Sequence, residues 1–324
     1  MQKYTTNLSP GDDECRRHSV RLLTKEELHR YSQPSDGKFL LAFAIDLATL
    51  ALTIWISEAF WSPPLYIVAV FIIGSRLHAM AVLMHEATHY RAMKNRTWND
   101  IMGEIAALST PLTLLGYRKN HFVHHREINS DDDPDWQRTR NSDYDFPKKR
   151  SELLWLLVKH TVGATLPREL KTLAKEKYVN DIPVGLKAFR AVFALGLIGA
   201  GIAFGFWKQV LLYYFVPMFT SLLLFLYIRS LAEHYSNLEY EHALNHTRTV
   251  VAPFWERWLF APHATNYHIE HHLYPSVPFF RLKELHRYLM TKPEYAQKAH
   301  VTHGYIRGLL MDECCVEGNS SKRP

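Results

Sequence analysis

The sequence predicts an all-α integral membrane protein in which four transmembrane helices form two hairpins and a cytoplasmic helical cap carries a metal site. Three observations support this fold class. Four apolar runs are long enough to cross a bilayer, lysine and arginine are concentrated outside the hairpin turns, and three clusters of histidine lie near the ends of the runs or in the loops between them. Together these features indicate helices that bring metal-binding side chains to one face of a membrane.

The first 37 residues are polar and carry no signal-peptide pattern. Thr24 and Glu27 have the T-x-x-E spacing of a capping box, in which two side chains bond backbone N–H groups at the start of a helix. We therefore expect the segment 1–37 to include a short amphipathic helix that lies on the membrane surface before the first span.

Four apolar runs define the expected membrane spans. They cover residues 39–57, 65–84, 191–207 and 210–228. A helix of about 20 residues is about 30 Å long, which matches the hydrocarbon core of a bilayer. The segments 62–64 and 208–209 are too short for anything but turns, so the runs should pair as two hairpins. Buried helices of a soluble protein are the alternative, but paired runs with nearly uncharged turns are unusual in soluble folds.

The distribution of lysine and arginine sets the expected orientation. These residues crowd the N-terminal segment, the stretch 90–187 and the region after Arg229, whereas the hairpin turns contain a single lysine. By the positive-inside rule, both termini and all three histidine clusters are cytoplasmic. The membrane domain should extend over 38–290, followed by a cytoplasmic tail over 291–324. The net charge of +6 is explained by this topology and by anionic lipid, so nucleic-acid binding is not expected.

The placement of the nineteen histidines indicates metal binding. One cluster has the pattern H-x-x-x-H, and two have the pattern H-x-x-H-H. Two copies of the second pattern are expected by chance only roughly 2 times in 1,000 at this length and histidine content. The clustered histidines are His85 and His89, then His121, His124 and His125, and finally His268, His271 and His272.

The spacing has a physical meaning if the three clusters are helical. Residues three and four apart lie on one face of a helix, so their imidazoles can converge on one cation. Adjacent histidines point about 100° apart around the helix, so the last two of H-x-x-H-H suit neighbouring metals better than one. Eight imidazoles also exceed what a single ion can use, which indicates a dinuclear site. Iron, copper, nickel and zinc all accept imidazole, so the ligand type leaves the metal open.

Several histidines lie outside the three clusters. His234 follows the fourth run and is a candidate ninth ligand, although a histidine at a helix end can also bond a carbonyl group. His78 lies about 10 Å before His85 along a helix, too far to share an ion, so with Arg76 it is expected to line the approach to the site. His242 and His246 fit a solvated surface pair better than a metal site. The spacing does not favour His263, and the remaining histidines are expected to be ordinary surface or packing residues.

Two other kinds of function, a zinc protease and a metal transporter, account for the clusters less well. His85, Glu86 and His89 match H-E-x-x-H, the pattern of zinc proteases in which the glutamate is the general base. A third ligand could then come from the acidic stretch 131–135, but both H-x-x-H-H clusters would have no role. A metal transporter should hold its ligands near mid-membrane rather than at the cytoplasmic ends of the spans.

The three histidine motifs around two hairpins resemble those of the integral-membrane fatty acid desaturases, a family that includes related hydroxylases and ketolases. The likeness runs from about 76 to 281. It includes Arg76-x-His78 before the first motif, Asp133-Pro-Asp135 after the second, and the stretch 266–275, NYHIEHHLYP, around the third. The resemblance implies a di-iron centre held by the eight clustered histidines, and His234 resembles an extra ligand that some members have.

The sequence departs from the family pattern at three positions. Glu86 replaces the aspartate common in the first motif, and Ser230 stands where some members have an asparagine that binds water. The third motif begins with His268 rather than the glutamine of front-end desaturases, and we expect no fused cytochrome b5 domain. These two features argue against the front-end subgroup.

The resemblance also implies a reaction and a set of supporting residues. The substrate would be a lipid acyl chain, dioxygen the co-substrate, and the external electron donor of ferredoxin, rubredoxin or cytochrome b5 type. Desaturation is preferred, and hydroxylation or ketolation of a lipid or carotenoid is the open alternative. Side chains expected to hold the imidazoles in position are Glu86, Asp133, Asp135, Asn266 and Glu270.

Overall fold

The computed structural model describes residues 20–175, 182–235, 238 and 242–315. These residues are mostly helical, as the sequence predicts. Residues 1–19 of the N-terminal segment and 316–324 of the expected tail lie outside the described residues. The helices before the third span are α1 (Lys25–Tyr31), α2 (Asp36–Ala59), α3 (Pro63–Thr88), α4 (Arg96–Ala107), α5 (Leu114–Glu127), α6 (Pro134–Arg138), α7 (Arg150–Thr161) and α8 (Leu166–Lys175).

The second half of the chain adds shorter helices and two strands. One π-helical stretch, Leu211–Phe215, lies between the helices Trp207–Val210 and Val216–Phe219, and another, Gly304–Glu313, follows the strand Val301–His303. The elements are α9 (Val184–Ala203), α10 (Trp207–Val210), α11 (Val216–Phe219), α12 (Ser221–His234), β1 (Thr249–Val251), α13 (Phe254–Phe260), α14 (His268–Leu273), α15 (Phe279–Leu289), α16 (Pro293–Lys298) and β2 (Val301–His303).

The capping box predicted at the start of α1 is confirmed. The Thr24 hydroxyl accepts a hydrogen bond from the Glu27 N–H at 3.2 Å, and the Glu27 carboxylate accepts one from the Thr24 N–H at 2.8 Å. These bonds satisfy two backbone donors that the first turn of the helix cannot pair internally. Helix α1 packs through Tyr31 against a core formed with α15, so it contacts the C-terminal region.

Four helical stretches in the described part of the chain are long and apolar enough to cross a membrane, as predicted. They are Asp36–Ala59, Pro63–Thr88, Val184–Ala203 and the composite Trp207–His234. Within its most apolar window, 72% of α3 is buried in the protein, compared with 6% of α9. Helix α3 is therefore the central span. The exposed apolar side chains of α9, such as Leu195, are suited to lipid rather than water.

The third span begins earlier than the predicted 191–207, because charged residues interrupt the apolar run without ending the helix. Helix α9 starts at Val184 and includes Arg190, whose guanidinium is 3.1 Å from the Glu104 carboxylate on α4. This ion pair compensates the charge of Arg190. The helix ends at Ala203, just before Gly205, which has a φ of +79°. Glycine adopts this left-handed conformation readily, so the helix stops there.

The fourth span is longer and more irregular than the predicted 210–228. It contains the π-helical stretch and a break at Thr220, where φ is −130° and ψ is −95°. Pro217 lies just before the break and lacks the N–H that a continuous helix would use. After the break, Ser221 approaches Gly74 of α3 so closely that a Cβ on Gly74 would lie 2.1 Å from the Ser221 hydroxyl oxygen. Close contact at a small residue is typical of helix pairs in membranes.

A short parallel β-pair is an element that the sequence does not predict. Thr249 pairs with Val301 and Val251 with His303, and the β-branched residues of both strands suit this conformation. The region after 290, expected to be a tail, packs against the rest of the protein as far as Cys315. Tyr295 and Tyr305 are buried in two separate cores, so this region helps to position the third histidine cluster.

Candidate metal centre

The three histidine clusters lie on or directly beside helices. The first cluster occupies the last turn of α3, with His89 immediately after it. The second lies in the final turns of α5, a helix that begins after Thr113, whose hydroxyl accepts the Gly116 N–H at 3.0 Å. The third occupies α14, which begins at His268. The helical spacing therefore directs imidazoles three and four residues apart to a shared region.

The first group of candidate ligands combines histidines from all three clusters. One ligand atom from each lies within 4.8 Å of the ligand atoms of all the others. The Nε2 atoms of His89 and His121 are 2.9 Å apart, and those of His125 and His271 are 3.1 Å apart. Two nitrogens bound at right angles to one ion at about 2.1 Å would be about 3 Å apart. The members are His85, His89, His121, His125 and His271.

A second group lies beside the first. Ligand atoms of His124, His234 and His272 fall within 4.8 Å of one another, and those of His234, His268 and Glu233 do the same. The Nε2 atoms of His234 and His268 are 2.9 Å apart. The two groups meet where the rings of His125 and His272 stack, with centroids 4.2 Å apart. Adjacent histidines 124 and 125, and 271 and 272, are thus divided between the groups.

The arrangement fits cations better than a network of hydrogen bonds. A neutral imidazole has one donor and one acceptor nitrogen, so several Nε2 atoms facing one another cannot all be satisfied by hydrogen bonding. The buried His85 Nε2 has no hydrogen-bond partner among the described residues. A metal ion between the converging nitrogens would satisfy all of them. The donor set, all imidazole apart from Glu233, suits iron, copper, nickel or zinc.

Burial keeps most of these imidazoles in the neutral form that metals bind. It lowers the pKa of His89 from 6.5 to about 3. Burial, and then the neighbouring imidazoles, also hold the pKa of His121, His125 and His271 well below the ordinary value. His268 and His272 are affected in the same way. Because ligands need not release protons near neutral pH, metal binding is favoured there.

These pKa values predict how the stability of the metal-free protein depends on pH. Unfolded histidines take up protons below about pH 6.5, whereas the buried ones stay neutral until the pH approaches their lower native pKa. Their contribution to stability is present above the unfolded value and is lost as the pH falls below it. We expect the unfolding temperature of chelator-treated protein to fall between about pH 7 and about pH 5. An unchanged or rising temperature over this range would contradict buried, neutral imidazoles.

Asp133 orients His124. Both carboxylate oxygens of Asp133 lie 3.0 Å from Nδ1 of His124, which leaves Nε2 free for a cation. Burial lowers the pKa of His124. The bond to Asp133 and the nearby carboxylates raise it by more, so the net shift of the pKa is upward. Asp133 also caps α6 by accepting the Asp135 N–H at 2.9 Å. Asp135 contacts no clustered histidine among the described bonds; it accepts from Asn120 at 3.0 Å instead.

The other side chains expected to support the imidazoles bond elsewhere. Glu86 accepts the Phe279 N–H at 3.0 Å, and the Asn266 amide donates to the Val250 carbonyl at 2.9 Å. Glu270 is fully buried and accepts bonds from three side chains. These are the Thr249 hydroxyl at 2.6 Å, His286 Nδ1 at 2.5 Å and the Tyr295 hydroxyl at 2.5 Å. The bonds of Glu86 and Glu270 anchor α3 and α14 to the C-terminal region. A direct role at the metals stays a prediction for Glu86, Asn266 and Glu270.

Glu233 belongs to the site but was missed from the sequence. Its carboxylate lies 3.5 Å from His268 Nε2 and accepts bonds from Arg229 at 2.9 Å and Thr265 at 2.8 Å. Its position directly before His234, on the last turn of a span, is the one signal that could have identified it. The contact with Arg229 keeps this carboxylate compensated inside the protein.

Arg76 and His78 lie on the central span and do not line the cavity beside the metal centre. Arg76 forms a buried ion pair with Asp46 of α2 at 3.0 Å, and Asp46 also lies 2.6 Å from His263 Nε2. His78 is buried and stacks on Phe225, and neither of its ring nitrogens has a hydrogen-bond partner among the described residues. A role for Arg76 and His78 in the approach of substrate stays a prediction.

The buried pair of Asp46 and Arg76 gives a stability prediction. Removing one partner leaves the other charge buried without compensation, so Asp46→Ala should lower the free energy of unfolding by about 3–5 kcal/mol. Denaturant titration of the protein in detergent micelles would measure the loss. Leu47→Ala is the matched control, because this neighbouring side chain is 48% exposed. Equal effects of the two substitutions would contradict the ion pair's role.

A cavity of about 210 Å³ opens beside the two histidine groups. His121, His124, His234 and His268 form part of its wall. Apolar side chains from the second and fourth spans also contribute. They include Ala81, Met84, Met218, Phe219, Leu222, Leu223 and Leu226. The cavity therefore brings a molecule of mixed apolar and polar character against the candidate metal ligands.

Four apolar spans with two adjoining groups of buried imidazoles define a membrane protein with a histidine-rich metal site. The fatty acid desaturase family model matches residues 28–304, and the chain belongs to this family. It is also similar to the dihydrorhizobitoxine desaturase of Bradyrhizobium elkanii, with 29% identity over 281 residues that cover 82% of this chain and 77% of the relative. The protein is therefore an oxidoreductase of the desaturase and hydroxylase type, and the family implies the use of iron.

The family assignment leaves the protease hypothesis without support. In a zinc protease the glutamate of H-E-x-x-H faces a water on the metal. Here the Glu86 carboxylate bonds the Phe279 backbone, and His85 and His89 belong to a group of five histidines. The resemblance stated from the histidine motifs is confirmed, and the family match extends beyond the stretch 76–281 at both ends.

Proposed function

We propose that the protein is a membrane-bound, di-iron, oxygen-dependent desaturase that introduces a double bond into an acyl chain. The observation that carries the proposal is the convergence of nine imidazoles into two adjoining groups next to a partly apolar cavity. A single ion cannot bind nine donors, whereas two ions would use all of them. The desaturase family and the desaturase relative support the same reaction class.

Each of the two histidine groups would bind one of the two ions. One ion would be held by His85, His89, His121, His125 and His271, and the other by His124, His234, His268 and His272. Bound iron would supply oxygen activation and removal of hydrogen from an unactivated carbon. The protein's part is to keep the imidazoles neutral and oriented and to exclude bulk water. Asp133 fixes the ring of His124, and the apolar wall around Leu222 holds the chain that reacts.

The proposed orientation places both termini, the histidine groups and the cap on the cytoplasmic side, with the spans paired as two hairpins. The distribution of lysine and arginine supports it. An external ferredoxin, rubredoxin or cytochrome b5 type protein would supply electrons there. Support for its docking comes from Phe122, which is 43% exposed with its ring 5.9 Å from that of His89, and from the exposed Arg126 one turn further along α5. An acidic carrier complements this surface.

Two measurements test the proposal. Elemental analysis of purified protein should find about two irons per chain, because two imidazole groups are present. Lipid analysis of a host expressing the chain should reveal new double bonds. New hydroxyl or keto groups would instead favour the hydroxylase or ketolase members of the family. A single zinc, with activity lost on Glu86→Gln, would contradict the di-iron proposal.

A further inference from the structure

The cavity beside the metal centre has two chemically different walls. The spans contribute apolar side chains such as Met218 and Leu222, while α6 and the turn after it contribute Asp135, Arg138 and Asn141. A plain methylene chain gains nothing from charged side chains and would have to desolvate them. The polar wall therefore indicates that part of the substrate is polar and enters the cavity.

Two arginines line this cavity, and they differ in how fully they are paired. The Arg229 guanidinium contacts both carboxylate oxygens of Glu233 at 2.9 Å. Arg138 has one ion pair among the described residues, with Asp135 at 3.5 Å, and no hydrogen bond from its guanidinium. Its side chain is 36% exposed. A guanidinium has five N–H donors in a planar fork, so Arg138 retains the capacity to bind a carboxylate through two of them.

The acidic residues near Arg138 leave this capacity available. Asp135 is also bonded to Asn120, and Glu169, which lines the cavity from α8, lies 3.1 Å from the Arg168 guanidinium. Asp133 is engaged by His124. Each nearby carboxylate thus has another partner, so an arriving anion would not need to displace a full ion pair at Arg138.

Arg138 lies close to the candidate metal ligands. Asp133, which contacts His124, caps α6, and Arg138 is the last residue of the same helix. Five residues of helix correspond to a rise of about 7 Å between these two positions. A group bound to Arg138 would therefore hold the carbons next to it near His124 and His234, while the rest of the chain would extend along Leu222 and Leu226.

We propose that the substrate is a free carboxylic acid whose carboxylate binds Arg138, and that the oxidised carbons lie only a few bonds from that carboxylate. This inference rests on the proposed function and names the substrate class for the same site. In a thioester or glycerolipid the acyl carbonyl carries no charge, so the group adjoining the chain would not form an ion pair with Arg138. Guanidinium and carboxylate geometry makes the recognition bidentate and specific.

Binding of small probes to the iron-loaded protein in nanodiscs tests the proposal without turnover. Hexanoate, hexyl phosphate and 1-hexanol share one chain and differ in the end group. We expect hexanoate to bind at least about tenfold more tightly than hexanol, and Arg138→Gln to remove that preference. Arg138→Lys should keep part of it. Arg140→Gln is the matched control, because Arg140 is 54% exposed, pairs with Asp131 and does not line the cavity.

The outcomes separate this inference from the proposed function. Equal binding of hexanoate and hexanol, or an unchanged preference in Arg138→Gln, would overturn the inference, and so would a preference for hexyl phosphate over hexanoate. If the wild type contains two irons and desaturates acyl lipids while Arg138→Gln does the same, the proposed function stands and this inference fails. Absence of iron in folded wild-type protein would instead contradict the proposed function. Bound iron and unfolding temperature verify that each variant is folded.

Discussion

Replacing His271 with alanine should abolish turnover and lower the bound iron below about two per chain. His271 belongs to the five-histidine group, and its Nε2 lies 3.1 Å from that of His125. The substitution removes one imidazole from the middle of the site, and the cavity left behind admits water where the metal requires a nitrogen. Product analysis and elemental analysis of the same purified sample would measure both effects.

A histidine outside the site provides the matched control for that substitution. His29 is exposed on α1, where it contacts Gln33, so His29→Ala should leave iron content and turnover unchanged. Unfolding temperatures of the two variants would show whether His271→Ala remains folded. Full activity with normal iron content in folded His271→Ala would exclude His271 as a ligand.

The histidine groups illustrate how much of a site can be predicted from local spacing. Because the motifs are helical, spacing alone indicated which imidazoles share a helix face and that adjacent histidines diverge. The structure places His124 and His125 in different groups, and likewise His271 and His272. Helix geometry does not determine which histidine of one cluster meets which of another. That assignment depends on how α5 and α14 pack against the end of α3.

The contacts that support the site depend on pairs far apart in the sequence. Asp46 and His263 are separated by 217 residues, and no periodicity connects them. A supporting role for Glu270 at the metal site stays a prediction, and its partners include Tyr295, 25 residues away in a region expected to be a tail. Apolar runs likewise predicted the four spans, whereas the bounds depended on local pairing, as at Arg190. Sequence patterns report the local chemistry, and tertiary packing decides which charges can be buried.

Asp133 and Asp135 provide a sharp test of the supporting contacts, because the motif Asp-Pro-Asp does not indicate which of the two carboxylates contacts a ligand. Only Asp133 contacts a candidate ligand, with both oxygens 3.0 Å from His124 Nδ1. An asparagine at 133 can still accept the backbone N–H that caps α6, so the helix should persist. It cannot provide a carboxylate to hold the imidazole, so Asp133→Asn should weaken iron binding by about 10–100-fold.

Asp135→Asn is the control for Asp133→Asn, because it changes the same chemical group two residues away. It alters the contacts with Asn120 and Arg138 but none with a clustered histidine among the described bonds. We therefore expect its iron affinity to match that of the wild type in a competition with a chelator of known strength. Equal loss of iron in the two variants would show that the acidic motif acts through its overall charge. Loss confined to Asp133→Asn would show that orientation of His124 is what the motif contributes.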